Sequence, residues 1–175
     1  FIYQHFNIDK MKKFILILTL SMGVAICAQA QGEGKAIGVR FGWGGELSYQ
    51  HPLQGSNRLE FDLGLYGFDK YSTSIYLTAV YQKVFDLSSL SQGFNWFVGA
   101  GPQVGYYGVK AVKVDGVKVK GTHDLALGAV GQIGIEYNFA KVPLQISLDW
   151  RPGILILPDF GFGYESGGLG IRYRF

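Results

Sequence analysis

Apolar and polar residues alternate along most of the chain with a period of two, the period of a strand with one greasy and one polar face. Ile37, Val39, Phe41 and Trp43 alternate with Gly38, Arg40 and Gly42; past Gly44-Gly45, Leu47 and Tyr49 alternate with Glu46, Ser48 and Gln50. Turn chemistry fills residues 51–57, which open on His51-Pro52. Leu59, Phe61, Leu63 and Leu65 oppose Glu60, Asp62, Gly64 and Tyr66 in a third strand; a loop at 69–73 leads to a fourth over 75–82. After a Ser-rich turn at 86–93, Trp96, Val98, Ala100, Val104 and Tyr106 oppose Phe97, Gly99, Gly101, Gln103 and Gly105. Pro102 lies inside this fifth strand and lacks an N–H, which predicts a bulge or a local break. Residues 109–123 form the longest irregular stretch. A sixth strand over 125–137, a turn at 140–143, a seventh strand over 144–151, a loop at 155–163 and a last strand to Phe175 complete the chain.

Eight strands of this pattern fit a soluble sandwich badly. One parity is too apolar to face water, and the other, mostly Gly, Ser, Thr, Gln and charge, is no hydrophobic core. Turning the barrel inside out resolves both, with grease toward lipid and polar groups inward, and closure removes every unpaired edge. Each strand's four or five apolar residues match a bilayer core crossed by about 9–11 tilted residues. Aromatics near strand ends (Trp43, Tyr49, Tyr81, Trp96, Tyr106, Tyr137, Trp150, Tyr173) predict two interfacial girdles. The expected fold is all-β: an eight-stranded antiparallel up-and-down transmembrane β-barrel. With the N-terminus in the periplasm, parity puts the connections at 44–45, 69–73, 109–123 and 155–163 outside.

The two ends of the chain bear on the same reading. Leu169, Ile171, Tyr173 and terminal Phe175 share one parity, opposite Gly170, Arg172 and Arg174. This ending resembles the C-terminal insertion signal of bacterial outer-membrane β-barrels. Near the N-terminus, Met11-Lys12-Lys13 opens a basic segment, residues 14–26 carry no charge, and Ala28-Gln29-Ala30 has the form of a cleavage site. The apolar run is short of the roughly 20 residues of a spanning helix. It reads as an export signal over 11–30, after an upstream extension at 1–10, leaving 31–175 as a single barrel domain. Ile26 before Cys27 disfavours a lipoprotein site, so cleavage after Ala30 leaves no cysteine for disulfide, metal or nucleophile. The mature chain keeps 13 basic and 12 acidic residues, which gives no argument for nucleic acid. The full chain's 26 glycines, five prolines and 15% aromatics suit tight turns and strands. With these elements together, the chain resembles the small eight-stranded outer-membrane barrels, the OmpX-like and OmpA-barrel-like group. That resemblance implies the outer membrane of a Gram-negative bacterium, with outer-membrane lipids, lipopolysaccharide and the barrel-assembly machinery as partners. It implies little about activity, because such barrels host many functions.

The inward parity collects Arg40, Glu46, Glu60, Asp62, Glu136, Asp149, Arg151, Arg172 and Arg174. A barrel of eight strands holds only its own side chains, and buried charges must pair. These residues are therefore expected to form an internal ion-pair network; a narrow ion or small-solute channel is the alternative. His123 beside Thr122 and Asp124, and His51 in a turn, give no motif-like nucleophile spacing, so a lipid-modifying enzyme ranks third and no enzyme activity is expected. Neither a metal site nor a cofactor fingerprint is present in the pattern. Within 109–123, Val112-Lys113-Val114 and Val117-Lys118-Val119 flank Asp115-Gly116, a strong hairpin signal. The predicted ribbon, with Lys110, Lys113, Lys118 and Lys120, is the candidate contact surface for an anionic partner, a surface glycan or protein ligand.

Overall fold

The computed structural model describes residues 34–42, 44–66, 72–109, 112–114, 117–119, 122–158 and 160–175. The signal segment at 11–30, the extension at 1–10, Trp43, Lys110, Lys120 and Asp115-Gly116 lie outside the described residues. The strands are β1 (Ala36–Phe41), β2 (Gly45–Pro52), β3 (Asn57–Tyr66), β4 (Ser72–Asp86), β5 (Phe94–Val109), β6 (Val112–Val114), β7 (Val117–Val119), β8 (Thr122–Asn138), β9 (Leu144–Leu157) and β10 (Gly161–Arg174). Eight of them close a barrel in the order β1-β10-β9-β8-β5-β4-β3-β2, and β6 pairs with β7 in a separate two-stranded ribbon. All pairs are antiparallel, and the seam is closed by β1 on β10 from Ala36↔Arg174 to Phe41↔Leu169.

The barrel is greasy outside and polar inside. Leu47, Leu63, Leu77, Val104, Leu125, Ile135, Leu148 and Ile171 are exposed, while Ser48, Gln50, Glu60, Asp62, Gln82, Gln132, Ser147 and Asp149 are buried. The interior has an apolar minority: Tyr76, Val80, Phe97, Ala126 and Val130 are buried too. Gly105 makes room for one of them, since a Cβ there would run into the Tyr76 ring.

Several element boundaries differ from the alternation. His51 and Pro52 continue β2 rather than open the turn, and Ser72 and Thr73 belong to β4. Pro52 is tolerated because it ends its strand. The loop expected at 155–163 is mostly strand: β9 runs to Leu157 and β10 begins at Gly161. Pro152 does not end β9, because the sheet pairs around it. The β9–β10 register shifts between Gly163 and Ser166, and the β8–β9 ladder passes from Gly153 to Trp150 with no pair at Pro152. Pro102 acts the same way without a bulge. The β4–β5 ladder omits Gly101 and Pro102 and resumes in unchanged register, while β8 stays paired to both.

Trp150 is not at a strand end: Leu148 and Ile154, both exposed, flank it along β9. The aromatic girdle is clearest at the end holding the turns after β2, β4 and β8. There Phe85 stacks on Trp96 at 4.3 Å, Tyr137 meets Phe139 edge-on at 4.9 Å, and Tyr49 lies beside His51.

Candidate functional site

Inward-facing residues of β2, β8, β9 and β10 converge on Glu60 of β3. Its carboxylate is fully buried and accepts from Gln50 Nε2 at 2.6 Å, Arg151 Nη2 at 2.9 Å, Arg172 Nη2 at 3.0 Å and Gln132 Nε2 at 3.1 Å. Arg151 also holds Asp62 at 2.6 Å and Glu46 at 3.1 Å. Glu46 bridges on to Arg40 at 3.2 Å, and Arg40 donates to Asp149 through Nη2 at 2.6 Å and through Nε at 3.0 Å. Arg172 completes this cluster by donating to Ser48 at 2.9 Å and Ser147 at 2.8 Å. Each guanidinium fork is thus spread over two or three strands, which ties the wall together across the lumen.

A second cluster sits nearer the barrel end where β2–β3 and β8–β9 turn. Arg58 pairs with Glu136 at 2.7 Å and lies over the Phe97 ring at 4.9 Å. Glu136 also accepts from Gln145 at 3.2 Å and from Asn95 and Asn138 at 3.3 Å. Two glutamines join the clusters: Arg58 Nε donates to Gln82, Gln82 donates to Gln132 at 2.7 Å, and Gln132 donates to Glu60.

Of the charges gathered by parity, Arg40, Glu46, Glu60, Asp62, Glu136, Asp149, Arg151 and Arg172 meet in this interior. Arg174 does not. It is half-buried at the end of β10, its backbone N–H bonds Pro143 O at 2.8 Å, and it makes no ion pair among the described residues. Its place is taken by Arg58, which shares the parity of Glu60 and Asp62 but precedes the first apolar residue of its strand. Among the described residues the interior therefore holds four guanidiniums and five carboxylates. The linking amides and hydroxyls, Gln50, Gln82, Gln132, Gln145, Ser48 and Ser147, were legible only as inward positions.

Gly168 is part of the fit. A Cβ there would fall within 2.5 Å of Arg40 Nε and Nη2, on a guanidinium that Asp149 and Glu46 hold in place. Gly168→Ala is expected to destabilise the barrel by about 1–3 kcal/mol through overpacking. Urea unfolding followed by gel mobility measures it, and an unchanged midpoint would show that Arg40 is free to move aside.

The remaining sequence candidates lie elsewhere. Leu169, Ile171 and Tyr173 point outward from β10, and Phe175 follows its last residue. In the β6–β7 ribbon Lys113 stands opposite Lys118, and Val112 and Val114 oppose Val119 and Val117.

Solved structures share this architecture. The N-terminal β-barrel domain of Pseudomonas aeruginosa OprF superposes with a TM-score of 0.56 at 14% identity, over 83% of this chain and 100% of that one. Neisserial surface protein A superposes with a TM-score of 0.55 at 14% identity, over 81% and 93%. The fold is that of the small eight-stranded outer-membrane β-barrels. No protein-family model and no curated protein sequence matches the chain. At such identity the likeness carries the fold alone, so the role has to be argued from the chain's own surface and interior.

Proposed function

We propose that this chain is an exported outer-membrane barrel of a Gram-negative bacterium with a structural or surface-contact role and no enzymatic activity. The observation that carries the reading is the inversion of the barrel, an apolar belt outside and a cross-linked polar interior. Such a surface needs a bilayer, and such an interior leaves no wide aqueous path. The segment over 11–30 directs export, and Leu169, Ile171, Tyr173 and Phe175 address the barrel-assembly machinery. Lipopolysaccharide and the surrounding lipids are its standing partners, and nucleic acid is not one.

The contact surface is the ribbon between β5 and β8. Residues 110–120 carry four lysines and one aspartate, a local excess suited to phosphate or an acidic glycan. Each lysine near an anionic surface contributes about 1 kcal/mol. Changing Lys110, Lys113, Lys118 and Lys120 together to Ser should therefore weaken binding to lipopolysaccharide vesicles by roughly a hundred-fold or more at low salt. Sedimentation with such vesicles measures it, and equal binding by the variant would remove the ribbon from the contact.

Location and closure are tested on the same protein. A band in the outer-membrane fraction that shifts mobility on boiling supports a closed membrane barrel; a soluble periplasmic product refutes it. In planar bilayers the parent chain should show no steady conductance, and a steady one would favour the channel instead.

A further inference from the structure

The outer wall of the barrel is charged at one end only, and with one sign. Among the described side chains, every carboxylate on a barrel strand shares the inward parity. Lys35 and Lys83 share the outward parity instead, the first with exposed Val39 and Phe41, the second with exposed Tyr81. Both lie at the turn end that holds the aromatic girdle. Neither makes an ion pair among the described residues.

Lys35 stands in richer surroundings than Lys83. The β1–β2 ladder runs to Ala36↔Gln50, and two residues earlier Gly34 packs on Pro52, where an added Cβ would fall 3.5 Å from the ring. Lys35 is therefore placed opposite His51, with their Cβ atoms about 5 Å apart. His51 lies two residues past Tyr49 on the same face, and the Tyr49 hydroxyl is 3.2 Å from its Nδ1. When that hydroxyl donates, or when the ring is protonated, Nε2 carries a hydrogen that is left to donate elsewhere. An ammonium and an imidazole N–H thus stand side by side on the lipid-facing wall.

We propose that Lys35 and His51 form a headgroup site for the phosphodiester of an anionic phospholipid, with Tyr49 positioning the imidazole. The site rests on the reading of the chain as a membrane barrel. Two adjacent donors can each take one non-bridging oxygen of the phosphodiester in a charge-assisted hydrogen bond. The acyl chains then run along Ile37, which pairs with Tyr49 on β2 and with Tyr173 on β10. Lys83 has no such companion. Its neighbours across the sheet are Asn57 and Val98, so it draws anionic lipid through its charge alone.

The test uses the full barrel in nanodiscs of phosphatidylcholine, whose headgroup carries its own cation, with phosphatidylglycerol titrated in. Nitrogen NMR of the His51 ring and of the Lys35 and His51 amides gives the readout. Phosphatidylglycerol should move these signals along a saturable curve. Lys35→Ser should raise its midpoint about five-fold, and Lys35→Ser with His51→Gln should abolish saturation. Lys83→Ser should leave the midpoint unchanged. Tyr49→Phe should weaken binding and also shift the His51 ring nitrogens before any phosphatidylglycerol is added, as loss of a positioning bond requires. A linear response, or equal losses from Lys35→Ser and Lys83→Ser, would reduce the effect to a general attraction and overturn the site. The same shifts from millimolar inorganic phosphate in pure phosphatidylcholine discs would overturn the lipid as its source. Boiling-dependent mobility of each sample reports separately whether the chain is a folded membrane barrel.

Discussion

Glu60→Ala is expected to cost about 3–5 kcal/mol of stability, the usual loss when one partner of a buried charged cluster is removed. The loss is uneven among its four donors. Arg151 keeps Glu46 and Asp62, whereas Arg172 is left with Ser48 and Ser147, two neutral hydroxyls. A guanidinium buried without a carboxylate is the costly product, more than the missing hydrogen bonds themselves. A double variant, Glu60→Ala with Arg172→Met, should therefore be more stable than Glu60→Ala alone, a coupling of opposite sign to simple additivity. Glu60→Gln, which keeps the volume and an acceptor, should fall between. Urea unfolding in lipid, read by gel mobility and tryptophan fluorescence, ranks all three. A loss under about 1 kcal/mol for Glu60→Ala would mean that water enters the lumen and solvates the orphaned arginine.

The pairings behind that prediction were only half legible. Parity alone says that Glu60, Arg151 and Arg172 face inward, because a two-residue period has one polar face. It cannot say which strands face each other across the lumen. Arg40 and Asp149 are 109 positions apart, and Arg172 and Ser48 are 124 apart. Closure and register bring them together, and neither is written in one strand. Arg58 and Arg174 show the same limit at the rim. Both sit on the inward parity, but parity does not mark where the interior ends. β3 begins one residue before Arg58, which places it beside Glu136 and over the Phe97 ring, while Arg174 is the last residue of β10.

One strand boundary was missed for a related reason. The alternation of the seventh strand stops at Arg151, just before Pro152, which lacks a donor. Both neighbouring strands omit that pair, β10 alone shifts register there, and β9 gains six residues beyond Arg151. The exposed top of β9 and β10, with Phe160 and Phe162, is the consequence. Local pattern could not forecast it, since it depends on β1 and β2 being short while β9 and β10 are long.

Leu63→Arg gives the outer belt its sharpest test, because the sign of the effect depends on the medium. Leu63 faces outward on β3 between Leu47 and Leu77, and the three are 46%, 54% and 49% exposed. On a water-soluble barrel, trading an exposed Leu for Arg stays within about 0.5 kcal/mol and favours solubility. At the middle of a bilayer the same change costs about 2–4 kcal/mol, falling to about 0–1 near the interfaces. Val142, exposed in the turn between β8 and β9, supplies the contrast: Val142→Arg should be close to neutral. Reversible urea unfolding in bilayers of both variants reads the difference directly. A gap of roughly 2 kcal/mol or more between them places Leu63 at hydrocarbon depth. Equal small effects at both positions would mean that the belt never meets lipid, and the apolar face would then need a protein cover.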